Sequence, residues 1–189
     1  MIIVIEGIDK SGKTTQTNML KDRLKQYKVA TFSFPDYNTN IGKEIRAFLD
    51  RKRDYNPRVR HLLLSANRWE NIDRLEELAK NNDILILNRY YQSNIVYGLA
   101  DDLPLEWLEM LDNGLIKEDL TIILDIDEKV MRDRLKEEGD LFESNIDKIK
   151  IVRRLYKELA DRYGWIVIDA NRDKEEVNKD IIKIIMEHL

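Results

Sequence analysis

The stretch MIIVIEGIDKSGKTT, residues 1–15, decides the fold. Residues 2–5, IIVI, are β-branched and apolar throughout, which predicts a buried strand. Residues 7–14, GIDKSGKT, match the pattern G-x-x-x-x-G-K-[ST], and beyond them Met19 and Leu20 begin an apolar pattern at helical spacing. A strand, a glycine-rich turn and a helix follow one another, which is the context that a phosphate-binding loop requires.

The chemistry of this loop explains its residue types. Gly7 and Gly12 allow backbone angles closed to other residues, so that successive N–H groups can point into one concavity. The following helix adds its positive N-terminal end. Lys13 can reach the β- and γ-phosphates of a nucleotide, and the Thr14 hydroxyl can bind Mg²⁺. The loop residues predicted to hold phosphates are Gly7, Ile8, Asp9, Lys10, Ser11, Gly12, Lys13, Thr14 and Thr15.

Composition narrows the class of protein. The chain has 189 residues and suits one domain, 1–189, with a small lid. It has no cysteine and two histidines, which excludes a disulfide framework and thiol chemistry and leaves little for a zinc site. Its 32 basic and 36 acidic residues give a net charge of -4, so a basic nucleic-acid-binding surface is not indicated. No apolar run approaches the ~20 residues of a membrane span, and we expect a cytoplasmic protein.

Strand and helix patterns alternate along the whole chain. The predicted strands are 2–5, 29–34, 84–87, 120–124 and 165–168. The predicted helices run from the glycine-rich loop to about Gln26, from about 39 to 51, over 57–81, from Ser93 onward, over 103–111, from 128 to about 139, over 144–163 and over 174–188. Such alternation predicts an α/β protein with a five-stranded parallel sheet and helices on both faces, the three-layer P-loop NTPase fold. Ligands then bind where the strands end at their carboxyl termini.

Charged residues beside the loop suggest transfer chemistry. Arg89 directly follows the third strand, where a guanidinium could clamp two phosphate-bearing substrates; a surface salt bridge is the alternative. Lys10 can offset charge during transfer. Asp9 is repelled by phosphate unless it accepts a hydrogen bond from a sugar hydroxyl or a basic side chain. Arg68 lies within the 57–81 helix, where spacing alone favours a solvated helix face.

A set of short segments occurs along nearly the whole chain in a recognisable order. The most specific segment is HLLLSANRWE at 61–70. The others are GIDKSGKTTQ at 7–16, Phe34-Pro35 with Ile41-Gly42-Lys43, Arg89-Tyr90 with Ser93, Phe142-Glu143 and Ile168-Asp169-Ala170. Together these segments resemble the thymidylate kinase family of P-loop nucleoside monophosphate kinases.

This resemblance implies roles for individual residues. It implies ATP as donor and Mg²⁺ as cofactor, with Lys13, Arg89, Lys10 and Asp9 at the catalytic centre. Arg134 would stack on adenine, with Arg172 nearby on the donor side. Phe34, Tyr37, Leu49, Leu64, Arg68, Arg89, Ser93, Asn94, Tyr97 and Phe142 would form the acceptor pocket together with Asp9. The lid would be about 135–145, with Lys136 as its single basic residue.

The departures from the family pattern cluster on the acceptor side. Asn88 stands where the family has Asp, Leu64 where it usually has Phe, Tyr37 where it has a basic residue, and Asn94 where it has Gly. Leu64 would lose ring stacking on the base. Tyr37 can donate a hydrogen bond but carries no charge.

The reaction implied by the resemblance is Mg-ATP plus dTMP to ADP plus dTDP. The alternatives are a relaxed deoxynucleotide or deoxynucleoside kinase, which the acceptor-side departures motivate, and a P-loop ATPase or switch without an acceptor. The helices predicted at 41–51 and 57–81 carry more apolar surface than a sheet cover needs, so we expect a homodimer.

Overall fold

The computed structural model of the chain describes residues 1–137 and 146–189. Its strands are β1 (Ile2–Glu6), β2 (Val29–Ser33), β3 (Ile84–Asn88), β4 (Leu120–Asp125) and β5 (Ile166–Asp169). Its helices are α1 (Lys13–Arg23), α2 (Asn40–Leu49), α3 (Pro57–Trp69), α4 (Ile72–Asn81), α5 (Tyr91–Ala100), α6 (Leu105–Leu111), α7 (Glu128–Glu137), α8 (Ile146–Tyr163) and α9 (Lys174–His188).

The strands form one parallel sheet in the order β2-β3-β1-β4-β5, so the predicted α/β fold class is confirmed. Alternate residues of β1 point to opposite faces, as strand geometry requires. Ile3 and Ile5 pack into the core that contains Leu20 of α1 and Ile181 of α9. Val4 packs with Leu75 of α4 in a second core on the other face. Both faces of the sheet are therefore covered by helices.

The sheet order brings the site together. β1 lies between β3 and β4, and Ile5 of β1 pairs with Asn88 at the end of β3. The Arg89 N–H donates to the Ile5 carbonyl at 3.1 Å. Arg89 thus follows its strand directly beside the glycine-rich loop, as the sequence predicted.

The single helix predicted over 57–81 is wrong, because the chain forms two helices there, α3 and α4. The break falls at Glu70 and Asn71. The Asn71 amide donates to the Asn67 carbonyl at 2.9 Å, and local side-chain bonds of this kind compete with helix continuation. Apolar periodicity runs through such a break and does not report it.

Helical spacing also predicts Leu62 on the apolar, buried face of this helix, and this is wrong because Leu62 is 48% exposed. α3 instead buries polar side chains: His61, Ser65, Asn67 and Arg68. Smaller differences are that α1 ends at Arg23, before the predicted Gln26, and that α5 begins two residues before Ser93. The predicted end of α7 near 139 and the start of α8 at Ser144 lie outside the described residues, as does most of the lid predicted at 135–145.

Candidate active site

The glycine-rich loop wraps around the start of α1. Gly7 has a φ of 139°, and a Cβ built there would lie 2.5 Å from the Leu124 carbonyl oxygen, so no larger residue fits. Gly12 has a φ of 99° and caps α1 without a side-chain hydrogen bond, which leaves the first amides of the helix facing the cleft. An open helix N-terminus of this kind is a binding site for phosphate.

Lys13 lies under the loop with its side chain largely buried. Its Nζ donates to the carbonyls of Gly7 at 3.0 Å and Ile8 at 2.8 Å. Burial, and next the nearby charge of Arg89, lower the pKa of Lys13 from its usual value to about 7. A phosphate that arrives in the loop would supply the negative charge that favours the protonated amine.

The loop forms one end of a cleft of about 1160 Å³. This volume exceeds the ~300–1,000 Å³ of an ordinary small-molecule pocket, which suits two ligands. The sequence-predicted residues that line it are Asp9, Lys10, Ser11, Gly12, Lys13, Thr14, Thr15, Phe34, Tyr37, Leu49, Arg89, Tyr97, Arg134 and Arg172.

Arg89 lies between the two ends of this cleft. Its backbone has a φ of 67°, which turns the chain sharply after β3. Its guanidinium donates to Asp9 of the loop and, at 3.0 Å, to the Ser93 hydroxyl. The Arg89 charge holds the pKa of the Asp9 carboxyl below its usual value, so Asp9 is ionised at neutral pH. The two residues meet as a charge pair in the cleft.

The sequence predicts no individual role for Glu6, although Glu6 directly precedes the loop. Its carboxylate is 0% exposed. It accepts hydrogen bonds from the backbone N–H of Tyr90 at 2.9 Å and of Ser93 at 3.1 Å, from the Ser93 hydroxyl at 2.6 Å and from the Tyr156 hydroxyl at 2.9 Å. Since Ser93 gives its proton to Glu6, its oxygen is left to accept from Arg89. Glu6 therefore fixes both the backbone and the side-chain partner of Arg89.

An acidic residue at the carboxyl end of a buried strand was the signal that could have revealed Glu6. An ionised carboxylate is held without water only where several donors converge on it. The donors come from α5 and from Tyr156 of α8, far along the chain. Only the folded structure shows them.

The acceptor side of the cleft is formed by Phe34, Tyr37, Leu49 and Tyr97. The loop between β2 and α2 is held by Asn67 of α3, which is 0% exposed. The Asn67 side chain accepts from the Asp36 N–H at 2.8 Å and donates to the Asp36 carbonyl at 3.1 Å. Gly42 lets the same loop approach α2 closely, since a Cβ there would lie 1.8 Å from the Asp36 carbonyl oxygen.

Four predicted acceptor residues, Leu64, Arg68, Ser93 and Asn94, are not among the residues that line the cleft. Arg68 is buried and donates from Nε and Nη2 to the two carboxylate oxygens of Asp112, at 3.0 and 2.7 Å. Spacing alone predicted that Arg68 lies on a solvated helix face, and this prediction is wrong because Arg68 is buried.

The side chain of Asn94 also forms hydrogen bonds inside the protein. Its side-chain oxygen lies 2.6 Å from Nδ1 of His61 on α3. Its side-chain nitrogen donates to the His61 carbonyl at 3.4 Å, which fixes the orientation of the amide. The departure from the family pattern at this position is thus absorbed between two helices. Phe142, the remaining predicted acceptor residue, lies outside the described residues.

Arginines mark the donor side. Arg134 of α7 donates to the carbonyls of Lys10 at 2.8 Å and Ala170 at 3.2 Å, which holds it over the loop. Arg172 donates to the Asp169 carbonyl at 3.1 Å and to Asp180 at 2.6 Å. Both arginines line the cleft.

The predicted magnesium ligand, Thr14, stands at the start of α1. Its hydroxyl accepts a hydrogen bond from the Asn88 amide at 3.2 Å. Within residues 1–137 and 146–189, no group of three His, Asp or Glu side chains is placed to hold a metal ion. A hydroxyl with few protein ligands around it fits Mg²⁺, which is usually bound by one or two protein oxygens together with substrate phosphates and water.

Comparison with known proteins gives one consistent result. The thymidylate kinase family model matches residues 5–181. The thymidylate kinase of Schizosaccharomyces pombe is 37% identical over 97% of this chain and 90% of the yeast protein. A probable thymidylate kinase of Saccharolobus solfataricus is 35% identical over 100% of this chain and 98% of its own length.

The solved structures agree. The thymidylate kinase of Candida albicans superposes with a TM-score of 0.81 at 28% identity, covering 100% of this chain and 93% of that one. Among the described helices, none combines the length and apolar character needed to cross a membrane.

Proposed function

The chain belongs to the thymidylate kinase family, and we propose that it transfers the γ-phosphate of ATP to dTMP, giving ADP and dTDP. The observation that carries this proposal is that Lys13, Arg89 and Asp9 line one cleft, whose acceptor side is formed by Phe34, Tyr37, Leu49 and Tyr97. A P-loop ATPase without an acceptor has no need of a second ligand-binding surface of this kind.

The proposed reaction is a direct in-line transfer. An oxygen of the dTMP phosphate forms a bond to the γ-phosphorus as the bond to the ADP oxygen breaks, with no covalent enzyme intermediate. Lys13 and the loop amides hold the ATP phosphates. Arg89 lies between the two substrates and stabilises the charge shared by both phosphates in the transition state. The residues thus work by position and charge.

Asp9 and Lys10 adapt the loop to this reaction. Arg89 gives Asp9 a hydrogen-bond donor, which offsets the repulsion that Asp9 would otherwise meet beside phosphate. We propose that Asp9 accepts from the deoxyribose hydroxyl while Lys10 offsets charge during transfer. Arg68 would contact the thymine edge with donors that Asp112 does not use, and Leu64, Ser93 and Asn94 would support that pocket from behind.

Mg²⁺ would be held by the Thr14 hydroxyl together with the ATP phosphates. When bound, it neutralises charge on the β- and γ-phosphates. Asn88 touches Thr14 and would orient the surrounding water with a neutral amide.

We also propose a homodimer formed through α2 and α3. Leu62 is 48% and Trp69 38% exposed, and residues seven apart lie on one face of a helix. Light scattering of the full chain should give twice the monomer mass, and Leu62→Lys should halve it. A monomeric wild type would contradict the dimer.

An acceptor panel tests the function. With ATP and Mg²⁺ present, ADP formation is measured with dTMP, dUMP, dGMP, dCMP and thymidine. The expected result is the highest kcat/KM for dTMP, with Lys13→Met as the control that removes transfer by this cleft. A preference for thymidine over dTMP would contradict the proposal. A rate of ADP formation that no acceptor changes would also contradict it.

A further inference from the structure

The acceptor wall of the cleft carries no charge of its own. Residues of β2, the loop after it and α2 form this wall: Ser33, Phe34, Pro35, Tyr37 and Leu49. An acceptor monophosphate brings about two negative charges at neutral pH. Arg89 lies close enough to this wall to act on Tyr37, and it is already engaged by Asp9, Ser93 and Glu6. The wall needs a further positive group to hold a phosphate firmly.

Arg46 of α2 is placed to supply it. Its guanidinium carbon lies 4.5 Å from the centre of the Tyr37 ring, a cation–π distance. Leu49, three residues further along α2, lines the cleft, so the two side chains share a helix face. Arg46 is not itself a lining residue, but it lies against the ring of Tyr37, which lines the cleft.

The neighbouring acidic groups do not occupy Arg46. Asp50, one turn further along α2, pairs with Lys52 at 3.2 Å. Glu44 pairs with Arg53 at 3.3 Å and accepts from Tyr55. Among the described residues, no carboxylate is within ion-pair distance of the Arg46 guanidinium. It is free to bind an anion from solution.

Tyr37 completes the arrangement. Burial raises the pKa of its hydroxyl, which therefore stays protonated and able to donate at neutral pH. Its ring holds the Arg46 guanidinium by one face, while the planar fork of Arg remains able to bind two phosphate oxygens.

We propose that Arg46 binds the 5′-phosphate of the acceptor nucleotide, with Tyr37 as its platform. This inference rests on the proposed function. It assigns to α2 the charge that the loop residue Tyr37 does not carry.

Arg74 provides a matched control. It too lies over an aromatic ring, with its guanidinium carbon 4.9 Å from the centre of Phe32. It differs because it pairs with Asp36 at 3.8 Å, and because the Phe32 ring beneath it, unlike Tyr37, does not line the cleft. A general effect of removing a stacked surface arginine would appear in both variants.

The experiment compares Arg46→Ala, Arg46→Lys and Arg74→Ala. We expect Arg46→Ala to raise KM for dTMP by ~10-fold, the size of a charge-assisted contact, while KM for ATP stays within about twofold. Arg46→Lys should recover part of the loss, and Arg74→Ala should match wild type. An unchanged KM for dTMP in Arg46→Ala would overturn the proposal.

Binding of thymidine, measured by calorimetry, separates phosphate contact from pocket shape. Arg46→Ala should weaken dTMP and leave thymidine unaffected, because thymidine has no phosphate. Equal weakening of both ligands would overturn the assignment. If wild type prefers another monophosphate in the acceptor panel, the proposed function fails but Arg46 is tested by the same variants with that nucleotide and its nucleoside.

Discussion

The donor end and the acceptor end of the cleft are built in different ways. The donor end is centred on one uninterrupted stretch, residues 9–15, and Arg134 and Arg172 join it from later in the chain. The acceptor end draws on β2, α2, α3 and α5, and its loop is held by Asn67 from a distant helix. Local backbone geometry defines the first site, whereas buried side-chain contacts define the second.

The departures that the family resemblance implies, at Tyr37, Leu64, Asn88 and Asn94, fall outside the donor loop, and this difference in construction would account for their position. A substitution in the donor loop must satisfy fixed backbone angles and close contacts such as that of Gly7 with Leu124. The acceptor end can absorb change through new partners, as Asn94 does with His61. Substitutions can therefore perturb the two ends separately, or together at the residues that join them.

The largest effect is expected from the buried pair behind the acceptor pocket. Asp112→Ala leaves Arg68 charged and without its partner in a site where both are under 5% exposed, so it should lower the free energy of unfolding by about 3–5 kcal/mol. Chemical denaturation measures this, with Asp180→Ala, which breaks an exposed pair with Arg172, as control. If the alanine variant does not fold, the same denaturation measurement is made on the milder variant Asp112→Asn. A loss below about 1 kcal/mol would mean that Arg68 does not depend on Asp112.

Arg89→Ala should damage both ends of the cleft together. Removing a charge that stabilises the transition state typically costs about 10²–10³-fold in kcat. Steady-state kinetics measure the loss, circular dichroism confirms the fold, and Arg74→Ala is the control. Turnover close to wild type would remove Arg89 from the mechanism.

Glu6→Gln should have a smaller effect that passes through Arg89. The amide keeps the shape of Glu6 but places N–H₂ against hydroxyls that now donate, so we expect kcat to fall ~10-fold with KM for both substrates little changed. The double variant with Arg89→Ala should then lose no more than Arg89→Ala alone, because the two residues act as one unit. Additive losses would show that Glu6 acts independently of Arg89.

The smallest effect concerns the donor end alone. Burial lowers the pKa of Lys13 to about 7 when no nucleotide is bound. Above that pH, most molecules therefore have a neutral Lys13 side chain until ATP binds. Phosphate charge raises this pKa, so ATP binding at pH 8 should take up as much as ~0.9 proton, and affinity should fall as pH rises above 7. Calorimetry in buffers of different ionisation enthalpy measures the uptake. Lys13→Arg, always charged, should abolish it, and no uptake by wild type would contradict the lowered pKa.

The sequence alone predicted much of the fold because its signals are local. The apolar runs of β1, β3 and β4 predicted buried parallel strands, and the sheet confirms them. The prediction over 57–81 was wrong because the break at Asn71 arises from a side-chain bond that periodicity does not record. The burial of His61 and Arg68 was equally hidden, since it depends on Asn94 and Asp112 from later helices.

What the sequence determined by itself is the glycine-rich loop of the donor site, because Gly7, Gly12 and Lys13 lie in one short stretch whose backbone angles are set locally. Only the tertiary structure decided the acceptor side. It placed Arg46 over Tyr37, tied Arg68 to Asp112 and surrounded Glu6 with donors from α5 and α8. The contacts of Arg68 and of Glu6 join residues distant in sequence, and their energy depends on a burial that exists only once the helices have packed.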